Sequence, residues 1–156
     1  MKTVLFICTG NIFRSMTAEY AFRAQINNLP FRSESAGIEA KQQVMYPPVK
    51  NRLIELGIDP SAHIQRKLTQ DMLNQVVLPV AMGIDHQTFI RATFNRDVPL
   101  FNRIALGTDD PIKDTWEAVP DWNSDENARQ TYAVYVVDTI WQVMPGFIQN
   151  MENFMA

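Results

Sequence analysis

The apolar positions of this chain fall into two kinds of pattern. In the first they run together: residues 3–8 (Thr-Val-Leu-Phe-Ile-Cys) and 76–82 (Val-Val-Leu-Pro-Val-Ala-Met) show no polar alternation. Such runs predict strands buried on both faces, as in a parallel sheet covered by helices. Residues 31–37 (Phe-Arg-Ser-Glu-Ser-Ala-Gly) read as a short second strand closed by Gly37, and residues 101–106 (Phe-Asn-Arg-Ile-Ala-Leu) as a short fourth. Pro79 lies inside the third, where its missing N–H would cost a ladder bond if the strand were central. An edge strand, a bulge or a shortened strand is expected there.

In the second kind of pattern, apolar residues recur every three or four positions, as on one face of a helix. Ala18, Ala21 and Phe22 do so in a segment from Arg14 to about Asn28, which Asn27-Asn28-Leu29-Pro30 ends. Val49, Leu53 and Leu56 form a face behind Pro47-Pro48, with Gly57 as the stop. Tyr132, Val136, Ile140, Val143 and Phe147 repeat after Asn123-Ser124-Asp125-Glu126-Asn127, whose acidic residues suit a helix N-terminus. Pro145 is expected to bend or interrupt that last helix. Strands alternating with helices predict an α/β, three-layer fold with a four-stranded parallel sheet flanked by helices. No repeat, low-complexity tract or linker divides residues 1–156, so one domain is expected.

Composition leaves this picture standing and removes several functions. With 46% apolar and 20% charged residues the chain has the make-up of an ordinary globular protein. A formal charge of −3 argues against a nucleic-acid partner, though not against a local basic patch around an anionic substrate. No run approaches the ~18 apolar residues of a membrane span, and the one after Lys2 is too short for a signal-peptide core. The one cysteine, Cys8, cannot form an internal disulfide. A cytoplasmic protein with no membrane partner is expected.

The chemistry concentrates where the first apolar run ends. Cys8-Thr9-Gly10-Asn11-Ile12-Phe13-Arg14-Ser15 leaves a predicted strand and opens a predicted helix. Successive backbone N–H groups and the helix dipole favour an anion at the centre of such a loop. Gly10 and Asn11 are residues able to take the left-handed backbone conformation it demands. Cys8 is then either a small buried filler or a nucleophile held over the loop. The strand, the Gly-Asn pair, the Ser15 hydroxyl and the helix stand where a phosphate cradle needs them, which favours the nucleophile. Nearby positive charge and N–H groups favour the thiolate, and Arg14 offers a planar fork for two phosphoryl oxygens. Together these make a nucleophile aimed at phosphorus and a clamp for the charge that spreads over its equatorial oxygens.

Residues 4–19 (Val-Leu-Phe-Ile-Cys-Thr-Gly-Asn-Ile-Phe-Arg-Ser-Met-Thr-Ala-Glu) resemble the signature of the low-molecular-weight protein tyrosine phosphatases. There a cysteine, five intervening residues, an arginine and a serine follow the first strand. Residues 34–40, 55–69, 78–85 and 119–122 stand in that family's order at comparable spacings, so the resemblance spans nearly the whole chain. It implies a four-stranded parallel sheet between helices and a cysteine-dependent phosphatase with no cofactor and no metal. The implied substrate is a phosphotyrosine-bearing protein, the product inorganic phosphate, and the implied state a monomer or weak dimer. Thr9, Gly10, Asn11, Ile12, Phe13, Arg14 and Ser15 would form the cradle. Asn11, Ser15, Ser35 and His63 match positions of a hydrogen-bond network beneath it.

Expelling an alkoxide or phenoxide needs a proton donor near the leaving oxygen. In the resembled family an aspartate on a late loop, usually followed by proline, has this role. Asp110-Pro111 matches the dipeptide; Asp121, just before the last helix, matches the place and the separation from the cysteine. Asp121 is the expected general acid, and Asp110 the competing candidate, otherwise a turn residue.

Several positions depart from the family pattern. Phe13 stands where many members have a second cysteine, so no internal disulfide can trap an oxidised Cys8 and peroxide inactivation is implied to be irreversible. Met16 replaces a proline, and Gly83 replaces an aspartate that nearby Asp85 either does or does not substitute. Trp122 beside the expected acid either stacks on a phenyl ring or simply packs. His86 reads as a solvated helix-start residue. Arsenate reductases share the loop but use further cysteines for a disulfide relay, which one cysteine cannot run. Phosphoarginine-hydrolysing relatives tend to carry threonine where Ile12 stands, which favours phosphotyrosine over a protein-arginine phosphatase. The remaining alternative is a non-catalytic phosphate- or phosphoprotein-binding module; retention of Cys8, Arg14, Ser15 and a plausible acid argues against it.

Overall fold

The first apolar run becomes the middle of the sheet. The computed structural model describes residues 1–155. In chain order the elements are β1 (Lys2–Cys8), α1 (Arg14–Gln25), β2 (Phe31–Gly37), α2 (Pro47–Glu55), α3 (Gln70–Gln75), β3 (Leu78–Ala81), α4 (Ile84–Phe94), α5 (Phe101–Leu106), α6 (Thr115–Ala118) and α7 (Glu126–Asn150). The strands are parallel in the order β2-β1-β3, with Cys8 opposite Gly37 and Ile7 opposite Ala81.

Because side chains alternate along a strand, β1 feeds two cores. Val4, Phe6 and Cys8 face one layer, where they meet Phe22 of α1, Phe101 of α5 and Phe147 of α7. Leu5 and Ile7 face the other, against Leu73 of α3 and Ile90 of α4. A third apolar cluster joins α2 to α1 and α7 through Leu53, Met16 and Val137. The fold is thus α/β, a parallel sheet flanked by helices. The end of β1 that carries Cys8 opens directly into the loop before α1.

Two expectations about strands resolve differently. Residues 101–106 form helix α5 rather than a fourth strand, and the fourth position shrinks to one parallel bridge between Ala81 and Leu100. Phe101, Ile104 and Ala105 have helical spacing and all are buried, and Gly107 closes the helix at φ 75°. Pro99, which has no N–H to give to a ladder, precedes it. Pro79 lies in a short edge strand. Ala81 donates outward to the Pro99 carbonyl at 2.9 Å while Met82 donates inward to Ile7 at 2.9 Å. The alternation puts the Pro79 nitrogen on the outer side, where no β1 bond is lost.

Helix α7 continues through Pro145 without interruption. The N–H missing at that position would have served the carbonyl of Trp141, four residues earlier. Gln25 of α1 serves it instead, its Nε2 donating to Trp141 O at 3.1 Å.

Candidate active site

The loop between β1 and α1 is shaped from below by its neighbours. Asn11 takes the left-handed conformation, at φ 57°, whereas Gly10 does not. Gly37, at the end of β2, lies so close under the loop that a Cβ there would fall 2.4 Å from the Thr9 carbonyl oxygen and 2.9 Å from the Asn11 nitrogen. Phe13, at the cap position of α1, offers no side-chain acceptor to the helix. Among the described residues, no protein acceptor takes the N–H of Gly10, Asn11, Ile12, Phe13, Arg14 or Ser15. That is a row of donors suited to an anion.

Cys8 is buried, and its Sγ lies 2.8 Å from Ser15 Oγ. Ser15 Oγ accepts from Asn11 Nδ2 at 3.0 Å, and its own proton has two acceptors in reach, the Cys8 sulfur at 2.8 Å and the Ala36 carbonyl at 3.5 Å. Asn11 is itself fixed from three sides. Its Nδ2 also donates to Ser35 Oγ at 2.8 Å, its Oδ1 accepts the Arg66 N–H at 2.9 Å, and its carbonyl accepts from His63 Nε2 at 2.6 Å. Ser35 Oγ donates a hydrogen bond to the Glu19 carboxylate, which Arg23 caps at the surface. Asn11, Ser15, Ser35 and His63 are therefore brought together beneath the loop, with Arg66 and Glu19 added to them.

Arg14 is almost completely buried. Its Nη1 donates to the Ile112 carbonyl at 2.8 Å, and Nη2 lies 3.4 Å from Thr9 Oγ1 and 3.3 Å from Asp114 Oδ2. Its Nε–H has no protein acceptor among the described residues.

The acidic candidates separate clearly in space. Asp121 is exposed on the turn before α7, its carbonyl accepting from the N–H of Ser124 and Asp125, and its side chain lies outside the pocket over Cys8. Asp110 is exposed too, tied only through its carbonyl to Asn102 Nδ2 at 2.9 Å. Among the described residues, the carboxylate that lines the pocket is Asp114, which no motif in the sequence marks. The strand-like strap before it is anchored along its length: Ile112 N–H donates to Met82 O at 2.9 Å, Ile112 O accepts from Arg14, and the Tyr132 hydroxyl donates to Lys113 O. Burial, opposed by the Arg14 charge, pushes the Tyr132 phenol up to about 12 and keeps it a donor. Asp114 also caps α6, accepting from the Thr115 N–H at 2.7 Å.

Around the mouth stand Ile12, Phe13, Val44, Tyr46, Trp116 and Trp122. Trp122 is thus at the pocket, joined by Trp116, which is 60% exposed. Tyr46 donates to Glu126 Oε1 at 2.6 Å and carries the Arg129 guanidinium 4.1 Å over its ring, which ties the loop before α2 to the start of α7. His86 corrects its sequence reading: it is fully buried, not solvated, and its Nε2 lies 2.9 Å from Thr9 Oγ1.

A family model described as low molecular weight phosphotyrosine protein phosphatase matches residues 3–129. Among similar proteins, the low molecular weight protein-tyrosine-phosphatase Ptp of Acinetobacter johnsonii is 34% identical over 94 residues, 60% of this chain and 65% of its own. An arsenate reductase of Brevibacillus brevis is 34% identical over 115 residues, 74% of this chain and 81% of its own. Among solved structures, the YwlE arginine phosphatase of Geobacillus stearothermophilus superposes with a TM-score of 0.80 at 22% identity, covering 98% of this chain and 94% of its own. A low molecular weight protein tyrosine phosphatase from T. tengcongensis superposes with a TM-score of 0.78 at 22% identity, covering 96% and 99%.

Proposed function

This chain belongs to the low molecular weight phosphotyrosine protein phosphatase family, and from that premise we propose that Cys8, Arg14 and Asp114 carry the hydrolysis of phosphotyrosine on proteins. The chain is a cysteine-dependent phosphatase. Cys8 Sγ attacks phosphorus, the loop N–H groups and Arg14 take the charge of the equatorial oxygens, and the leaving phenol oxygen receives a proton from Asp114. The phosphoryl group competes for the Arg14 fork and so frees the Asp114 carboxyl to serve as that donor. Asp114 then acts as base toward the water that cleaves the sulfur–phosphorus bond, and inorganic phosphate leaves. No metal or other cofactor takes part, and the reaction belongs to the cytoplasm.

The observation that carries this reading is the meeting of a thiol, a buried guanidinium and one carboxylate in a single pocket. Trp116, Trp122 and Ile12 supply apolar and aromatic walls that suit a phenyl ring. The similarity to arsenate reductases does not carry their chemistry here, because Cys8 has no second thiol in the chain to relay to.

Turnover of p-nitrophenyl phosphate in EDTA tests the assignment. Wild type is expected to turn over and Cys8→Ser to be inert. Asp114→Asn is expected to lose about 100-fold in kcat, with Asp121→Asn close to wild type. A larger loss in Asp121→Asn than in Asp114→Asn would return the acid's role to Asp121.

A further inference from the structure

His86 is a buried imidazole with no part in the reaction as written. It stands on the first turn of α4, an element from which no described residue lines the pocket, and it is fully buried. Both ring nitrogens are engaged. Nδ1 accepts the Gly83 N–H at 2.9 Å, so the neutral ring carries its proton on Nε2. Nε2 therefore donates to Thr9 Oγ1 at 2.9 Å. Arg14 Nη2 reaches the same oxygen at 3.4 Å. A hydroxyl oxygen has two lone pairs, and these two donors face both. What Thr9 has left to offer is its own O–H, and Thr9 lines the pocket next to Cys8 and Arg14.

We propose that His86 is a positioning residue for phosphoryl transfer: by donating to Thr9 it turns the Thr9 O–H toward the anion in the cradle and steadies Arg14 through the shared oxygen. The inference rests on the phosphatase reading above. Gly83 is part of the device, since a Cβ there would lie 3.3 Å from two atoms of the His86 ring and 2.8 Å from Asp85 Oδ1. A neutral ring is needed, because an imidazolium would lose the Nδ1 acceptor and set a second cation beside Arg14. Burial first and the Arg14 charge second hold the imidazole down at about 4, against the opposing Asp85 carboxylate 3.6 Å away.

Kinetics with p-nitrophenyl phosphate, and with inorganic phosphate as competitive inhibitor, test the proposal. His86→Ala and Thr9→Val are each expected to lower kcat about tenfold and to weaken phosphate inhibition to a similar degree. The double variant is expected to be no slower than the worse single, since both remove one hydrogen bond. Thr9→Ser, which keeps the hydroxyl, is expected to recover most of the kcat and phosphate inhibition that Thr9→Val loses. Losses that multiply in the double variant would overturn the proposal, as would His86→Ala keeping wild-type kinetics with only a lowered Tm. Should His86→Ala fail to fold, Thr9→Val against Thr9→Ser decides alone: equal kinetics in that pair would overturn it, because His86 acts only through the hydroxyl. Cys8→Ser in the same series reports on the parent reading separately, whichever way the His86 comparison falls.

Discussion

Gly37 is the residue on which the shape of the phosphate loop rests, although it contributes no functional group. A methyl at that position would press on the Thr9 carbonyl oxygen at 2.4 Å and on the Asn11 nitrogen at 2.9 Å, both backbone atoms that cannot swing aside. Gly37→Ala is therefore expected to push the loop off its seat. Overpacking of this kind costs about 1–3 kcal/mol of stability, and a loop displaced by about 1 Å costs about 100-fold in turnover. The check is kcat and phosphate inhibition beside a urea unfolding midpoint; a variant that loses stability but keeps wild-type kinetics would show that the loop does not depend on Gly37. The contrast with Cys8, Arg14 and Ser15 explains what could be seen in advance. Those residues lie in one contiguous stretch whose side chains do the chemistry, so the sequence displays them together. Ser35 and His63 come into view only through the family pattern. Gly37, Arg66 and His86 act through contacts with distant backbone or with one hydroxyl, and no spacing rule marks them. Asp114 was hidden differently: Asp109, Asp110, Glu117 and Asp121 surround it in sequence, and only the strap held by Met82, Arg14 and Tyr132 singles it out.

Helix α7 shows how an element survives a residue that should break it. Pro145 withholds an N–H from the Trp141 carbonyl, and Gln25 supplies one across the α1–α7 contact. Gln25→Ala should cost about 1 kcal/mol, the net worth of one hydrogen bond. The cost should largely vanish in a Pro145→Ala background, where residue 145 again has an N–H to give. A double-mutant cycle in urea measures this coupling, and strict additivity would mean that Gln25 is not the substitute donor. The expectation that Pro145 would bend or interrupt the helix followed from local chemistry; the helix runs on without interruption, and the replacement donor comes from another helix. The same limit applies to residues 101–106. Six residues with Phe101, Leu106 and a central Ile104 satisfy a strand pattern and a helix pattern about equally, and the choice is made by Phe147, whose ring stacks on Phe101 with centroids 5.1 Å apart. Where the apolar run is long and continuous, as in β1, or the helical period is sustained, as in α7, sequence and structure agree.

At the scale of the whole molecule, His86 couples acid stability to the integrity of the site. Burial and the Arg14 charge lower its folded value from 6.5 to about 4. The unfolded chain takes up this proton near 6.5 and the native state only near 4, so between those values the unfolded state binds more protons. The contribution is then fully present above about pH 6.5 and is lost as pH falls toward 4, at up to about 1.4 kcal/mol per unit. The total at stake is about 3 kcal/mol, a large part of the stability of an ordinary domain. Asp59 and Glu126, whose carboxyls are held below their ordinary values chiefly by hydrogen bonds from Ser61 and Tyr46, work in the same direction at lower pH. A comparison with His86→Gln isolates the histidine: wild type should be the more stable at pH 7, and the gap should close as pH approaches 4. Urea midpoints across that interval read the effect, and parallel profiles for the two proteins would exclude it. Protonation would take the Nδ1 acceptor from the Gly83 N–H and place a cation beside Arg14, so the first structure to loosen in acid should be the contact between α4 and the phosphate loop. Turnover should accordingly fail before the sheet does, because β1 and β2 are held to each other by backbone hydrogen bonds, which do not titrate.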